Sequence, residues 1–232
     1  MLRPVLLTAA ASVTVLAGVM PGVTAQATAP AAVPAASSTS LLNRLPVKLE
    51  RPAGYQRSKF VHWTDADHDG CDTRAEVLIT EATRKPRAAG GCRLIGGKWT
   101  SVYDGKVFTD ASRLDVDHMV PLNEAWQSGA WRWTPATRKA FANDLGYTGS
   151  LIGVSATTNR SKGDQQPGEW NPPNPRARCR YYGTWVNVKY RWGLSVDPVE
   201  KATLTRYLKT CGTAANIPAA RKAPTSTQPT PP

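Results

Sequence analysis

Near the C-terminus, Leu204, Tyr207 and Leu208 recur at helical spacing ahead of Cys211. Asp197-Pro198 opens this segment with N-cap and first-turn chemistry, and Glu200 stands three residues after Asp197 as in a capping box. The pattern predicts a helix over 198–211. Thr134-Pro135 repeats the start signal and predicts a helix to Leu145, with Gly146 as its terminator. Val77, Leu78 and Ile79 predict a third helix over 76–83. Residues 181–192 predict a fourth, although their aromatics and valines leave a strand open. Strand signals are shorter. Leu114 to Val120 alternates apolar and polar positions and stops at Pro121, and Ser150 to Ser155 is a second apolar run. Trp99 to Phe108 predicts a hairpin around Asp104-Gly105, and Phe60 to Trp63 reads as a strand. Helices mixed with short strands predict an α+β fold.

The ends have a different texture. Arg3 precedes a mostly apolar run from Val5 to Val19, then Pro21-Gly22 and the A-x-A site Ala25-Gln26-Ala27. This predicts a secretory signal peptide over residues 1–27 and an extracellular destination, a membrane anchor being the alternative. Residues 28–45 are rich in Ala, Pro and Ser and read as a linker; residues 213–232 read as a disordered Pro/Thr-rich tail. The folded domain is expected over 46–212.

The chain has 232 residues, enough for one domain plus appendages, and its 41% hydrophobic content permits a core. A formal net charge of +12 suits a polyanionic partner, whether nucleic acid, anionic lipid or an acidic cell-wall polymer. No apolar run beyond the N-terminus is long enough to span a membrane. Four cysteines in a secreted chain imply two disulfides. Of three connectivities, Cys71–Cys92 and Cys179–Cys211 is favoured because each pair closes a short segment in its own half. The absence of C-x-x-C argues against zinc.

The chemistry concentrates in Asp117-His118-Met119-Val120-Pro121-Leu122, then Glu124-Ala125-Trp126, and further on Asn159-Arg160-Ser161-Lys162-Gly163-Asp164. Asp117 offers a hard oxygen ligand beside His118, a base that titrates near neutrality. On a short helix Asn159 and Lys162 share a face, presenting a metal ligand and a cation together. Adjacent residues on a regular strand face opposite sides, so Asp117 and His118 can serve one site only if the strand ends or bends there.

These phrases resemble the ββα-metal (HNH) nucleases, and more closely the secreted actinobacterial HNH endonucleases that share the C-terminal domain of GmrSD-type restriction enzymes. The similarity runs from about Tyr55 to Cys211 and includes Gly70-Cys71-Asp72-Thr73-Arg74. The resemblance implies a ββα-metal core within a small disulfide-stabilised mixed domain. It implies His118 as general base and Asp117 and Asn159 as ligands of one Mg²⁺ or Mn²⁺, all three being catalytic. Arg160 and Lys162 would contact phosphate, with Arg138, Lys139, Arg176, Arg178 and Arg180 as further backbone contacts. Ser150 stands where many HNH motifs carry an Asn that orients the histidine. Glu124 and Arg74 are supporting positions, Glu124 serving its helix or standing near the metal.

Asp65, Asp67, Asp69, Gly70, Cys71, Thr73 and Glu76 match the loop D-x-D-x-D-G-x₅-E position for position. Such a loop can enclose Ca²⁺ with oxygen, using a backbone carbonyl at Cys71 and leaving its sulfur for a disulfide. An acidic surface turn is the alternative. His62 and His68 read as surface or packing residues.

The sequence thus points to a secreted, metal-dependent endonuclease acting on DNA, and on RNA as a further possibility, with little sequence specificity and 5′-phosphate products. A monomer is the default expectation. Two other readings stand beside it: a non-catalytic, calcium-stabilised extracellular module that binds polyanions, and a nuclease toxin with an immunity partner.

Overall fold

The computed structural model describes residues 37–227. The predicted signal peptide, residues 28–36 of the linker and the last five residues lie outside them. In chain order the elements are α1 (Ser38–Asn43), α2 (Thr73–Glu81), β1 (Arg87–Ala89), β2 (Arg93–Ile95), β3 (Trp99–Thr100), β4 (Val107–Phe108) and β5 (Leu114–His118). Then come α3 (Leu122–Gln127), α4 (Pro135–Ala142), β6 (Leu151–Ser155), α5 (Ala156–Lys162), α6 (Pro175–Trp192) and α7 (Pro198–Cys211). The strands form three separate antiparallel pairs, β1–β2, β3–β4 and β5–β6. The fold is α+β, stapled by disulfides Cys71–Cys92 and Cys179–Cys211.

The β5–β6 pair organises the centre. Leu114 lies opposite Ser155 and His118 opposite Leu151. Ser155 ends β6 and also caps α5, its hydroxyl accepting from the Thr158 amide. The chain therefore passes from strand to helix without a loop, and α5 packs back on β5. On the other side, Val77 and Leu78 of α2 bury against Leu114, Val116 and Leu151, and the Trp99 indole donates to the Leu78 carbonyl at 2.6 Å. The larger core gathers around α6, whose Tyr181, Trp185, Val188 and Trp192 recur at helical spacing and are buried.

Several boundaries differ from the sequence reading. The linker is folded from Ser38: Leu41, Leu42 and Leu45 supply an apolar stripe that the core buries completely or nearly so. Composition alone masked that stripe. The tail packs as far as Thr227, with Ala215 and Ala220 buried and Ser226 bonded to Thr134 and Thr137. α6 begins at Pro175, six residues before the predicted start, because Asn174-Pro175 repeats the cap-plus-proline signal of α4 and α7. α4 stops at Ala142 rather than Leu145, where the Asn143 side chain donates to the carbonyls of Lys139 and Val61 and accepts from the Thr64 amide. Phe60–Trp63 is not a strand. A 3₁₀ turn, Arg57–Lys59, leads into it, and Trp63 has φ 57°, a left-handed backbone incompatible with a strand.

Candidate active site

β5 ends at His118, two residues before Val120, and Pro121 then turns the chain into α3. That early end resolves the alternation problem. Asp117 and His118 line one cleft of about 180 Å³, together with Arg57, Asn159, Arg160 and Asp164.

The His118 ring lies between Trp63, stacked at 5.3 Å, and Phe141 at 6.5 Å, with His62 edge-on at 6.2 Å. Its Nε2 is 2.9 Å from the Ala142 carbonyl oxygen at the end of α4. A carbonyl can only accept, so Nε2 carries the proton and Nδ1 keeps a free lone pair. Burial lowers the imidazole from 6.5 to about 3, against the opposing pull of the Ala142 carbonyl. His118 is therefore neutral at physiological pH.

Asp117 is nearly buried, and each of its oxygens has a partner. Oδ1 accepts from Lys162 Nζ at 2.9 Å and Oδ2 from the Tyr103 hydroxyl at 2.6 Å. Burial pushes the carboxyl up and the Lys162 ammonium down, and their mutual attraction opposes both shifts. Burial, then Asp117, pushes the Tyr103 hydroxyl well above its ordinary value, so it remains a donor. Asn159 Nδ2 donates to Asp115 Oδ2 at 3.1 Å, which leaves its carbonyl oxygen to face a ligand. The exposed Arg160 guanidinium lies 3.9 Å from the same carboxylate. Arg74 donates to the carbonyls of Ala111 and Leu114, tying α2 to the start of β5.

Two expected phosphate contacts change, at Lys162 and Arg138, and two supporting positions, Ser150 and Glu124, find partners outside the cleft. Lys162 is fully buried beneath Asp117 and does not line the cleft, so its ammonium cannot reach a bound phosphate. Ser150 does not orient His118; its hydroxyl donates to Asp144 at 2.6 Å, and the Ala142 carbonyl does the orienting. Glu124 is buried in an ion pair with Lys189 at 2.6 Å and is absent from the cleft wall. Arg138 is buried with its guanidinium on the carbonyls of Lys59, Ala130 and Trp133, which removes it from phosphate contact. Sequence reasoning missed Tyr103, Trp63 and Arg57, which carry no motif, and took His62 for a surface or packing residue without its link to His118.

In the acidic loop, one carboxylate oxygen from each of Asp65, Asp67 and Asp69 lies within 4.8 Å of the others. Asp65 Oδ1 is buried without a hydrogen-bond partner, while Oδ2 accepts from the Gly70 amide. Burial, then Asp69, Asp67 and Asp65, raises the Glu76 carboxyl. Asp72 caps α2 through the Ala75 amide. The Cys71 sulfur is in its disulfide, and the Thr73 hydroxyl donates to the Thr64 carbonyl, outside the cluster.

Residues 72–206, more than half of the chain, match the family described as GmrSD restriction endonucleases, C-terminal domain. The chain belongs to this family. The stretch matched by the GmrSD C-terminal domain holds Asp117, His118, Asn159 and Arg160, but not Arg57 or Trp63. An uncharacterised secreted protein of Arthroderma benhamiae is 43% identical over 177 residues, covering 76% of this chain and 85% of that protein. No solved structure matches the chain. Among the described residues, no helix is long and apolar enough to cross a membrane.

Proposed function

We propose that this chain is a secreted, metal-dependent endonuclease of the ββα-metal (HNH) type. It hydrolyses phosphodiester bonds of DNA, with RNA as a second substrate, shows little sequence specificity and leaves 5′-phosphate ends. The observation that carries this reading is a neutral His118 with Nδ1 unprotonated, sharing one cleft with Asp117, Asn159 and two arginines. The antiparallel β5–β6 pair running directly into α5 supports the core type. The restriction-endonuclease family supports the reaction class, and the secreted relative supports the destination.

Mg²⁺ or Mn²⁺ suits the donor set. Each Asp117 oxygen has one hydrogen bond and retains a second lone pair, and Asn159 offers an amide oxygen. When bound, the cation would neutralise charge on the phosphate and on the departing 3′ oxygen. His118 Nδ1 takes a proton from the attacking water while the Ala142 carbonyl holds the ring through Nε2. Arg57 and Arg160 hold the phosphate oxygens. A negative phosphate in the cleft also stabilises the imidazolium, countering the burial that disfavours it.

Plasmid degradation by the purified protein tests this directly, run with Mg²⁺, with EDTA, and with His118→Ala. Metal-dependent cutting that falls about 10²–10⁴-fold in the folded variant is expected. A folded wild type that binds DNA but cuts with none of Mg²⁺, Mn²⁺ and Ca²⁺ would reinstate the polyanion-binding module.

The partnerless Asp65 Oδ1 favours a second element of this reading, Ca²⁺ at Asp65, Asp67, Asp69, the Cys71 carbonyl and Glu76. Millimolar Ca²⁺ should raise the melting temperature of wild type and leave Asp67→Ala unmoved. Equal shifts in both proteins would remove calcium from this loop.

A further inference from the structure

Asp117 is the one carboxylate in the proposed metal-ligand pair, and its charge is already balanced inside the protein. Lys162 is fully buried, and its ammonium donates to Asp117 Oδ1 at 2.9 Å and to the His118 carbonyl at 3.0 Å. The other oxygen is held by Tyr103, itself buried between Trp170 and Tyr181. The second ligand, Asn159, is neutral. Behind it, Arg160 stands near Asp115, so that carboxylate is partly offset too. The cleft wall also carries one further cation and one further anion, Arg57 and Asp164. The pocket meant for a divalent cation therefore has almost no net negative charge of its own. Oxygen sites gain cation affinity from the number of charged ligands and from rigidity. Here the ligand is rigid but the charge is missing, and a phosphodiester would bring it.

We propose that Lys162 and Tyr103 are positioning residues that fix the Asp117 carboxylate, with Lys162 also balancing its charge, so that the divalent cation is held firmly only together with a substrate phosphate. This rests on the nuclease reading and deepens it. By linkage, the cation must tighten nucleic-acid binding by the same factor that nucleic acid tightens cation binding. The free protein in a cation-rich extracellular medium would then carry little metal at this cleft, and the complete site would assemble on the substrate.

The test measures Mn²⁺ affinity by the electron paramagnetic resonance of free Mn²⁺, in the His118→Ala background so that DNA stays intact. Asp67→Ala is added to silence the acidic loop. A short DNA duplex should tighten Mn²⁺ binding by about tenfold or more. Adding Lys162→Met, which fills the same space without charge, should tighten Mn²⁺ binding without DNA by at least about tenfold and shrink the effect of the duplex. Its thermal stability should also respond more steeply to Mn²⁺, because the metal replaces the lost counter-charge. Should Lys162→Met fail to fold, Tyr103→Phe removes only a hydroxyl and should still bind Mn²⁺ several-fold tighter than its parent. Equal Mn²⁺ affinity with and without duplex, or variants no tighter than the parent, overturns the proposal while leaving the nuclease standing. Absence of any Mn²⁺ binding, with or without DNA, sinks the nuclease reading instead.

Discussion

Arg57 is exposed, precedes the family-matched stretch and belongs to no motif, yet it lines the cleft with His118 and Asn159. Its charge is also the first among those that disfavour a proton on His118. Lys162 is the opposite case, a basic residue inside the motif that is spent within the protein. If Arg57 grips the phosphate, Arg57→Ala should slow cutting about 10²-fold with an unchanged melting temperature, since little packing is lost. Arg57→Lys should recover only part of that rate, because an ammonium lacks the paired donors of a guanidinium. A steady-state assay beside a thermal melt separates the two effects; an unaltered rate in Arg57→Ala would take Arg57 out of the site. Asp117, His118 and Asn159, which the fold brings to one cleft, could be singled out from sequence as candidates because their spacing is itself a pattern. Tyr103 and Trp63 could not, because only folding brings them to Asp117 and His118.

At the scale of elements, capping and proline signals located the starts of α4 and α7, since those signals are local. The start of α6 carries the same signal at Asn174-Pro175, hidden beneath the aromatic run that follows. The pairing of α2 with β6 left no trace in the sequence and depends on Gly153. A Cβ there would meet Glu81 Oε2 at 2.8 Å and Leu78 Cδ2 at 3.0 Å, so the bare glycine lets the helix approach. Glu81 accepts from the Gly153 amide at 2.6 Å, and burial raises its carboxyl from 4.5 to about 7. The fold thus favours the protonated form more than the unfolded chain does. That contribution is fully present below about pH 4.5 and is lost as pH rises through about 7. Glu81→Gln keeps an oxygen for the Gly153 amide and cannot ionise. It should match wild type near pH 4.5 and exceed it at pH 8 by about 1 kcal/mol, because the side chain is largely exposed and solvent screens most of the effect. Urea unfolding at the two pH values measures this; a variant weaker at pH 8 would mean that the ionised carboxylate is the better partner.

Across the whole molecule, the two ends of the described chain close over α6. The Ser38 hydroxyl donates to the Ala215 carbonyl, Asn187 accepts from the Ala220 amide, and Arg191 donates to the Arg221 carbonyl at 2.6 Å. Gly183 makes the approach possible, because a Cβ there would collide with the Ala215 carbonyl oxygen. The same Arg191 holds Asp144 through two nitrogens at 2.7 and 2.8 Å, and Asp144 accepts from Ser150 and Trp192. Asp144 lies two residues beyond Ala142, whose carbonyl orients His118. Hydrogen bonds therefore run from a segment that composition marks as tail to Asp144, two residues along the chain from the carbonyl that holds His118, the proposed base. Truncation after Gly212 should remove several of these bonds and the burial of Ala215 and Ala220, about 2–4 kcal/mol in all. For a domain of this size that corresponds to a melting temperature lower by roughly 5–15 °C. Arg191 keeps its bidentate hold on Asp144, so the truncated protein should still cut at 25 °C, more slowly than the full chain but far faster than His118→Ala. Melting curves and initial rates on the same preparations decide the matter. An unchanged melting temperature would return the segment to the role of a loose tail, and a rate as low as that of His118→Ala would place the tail within the catalytic machinery.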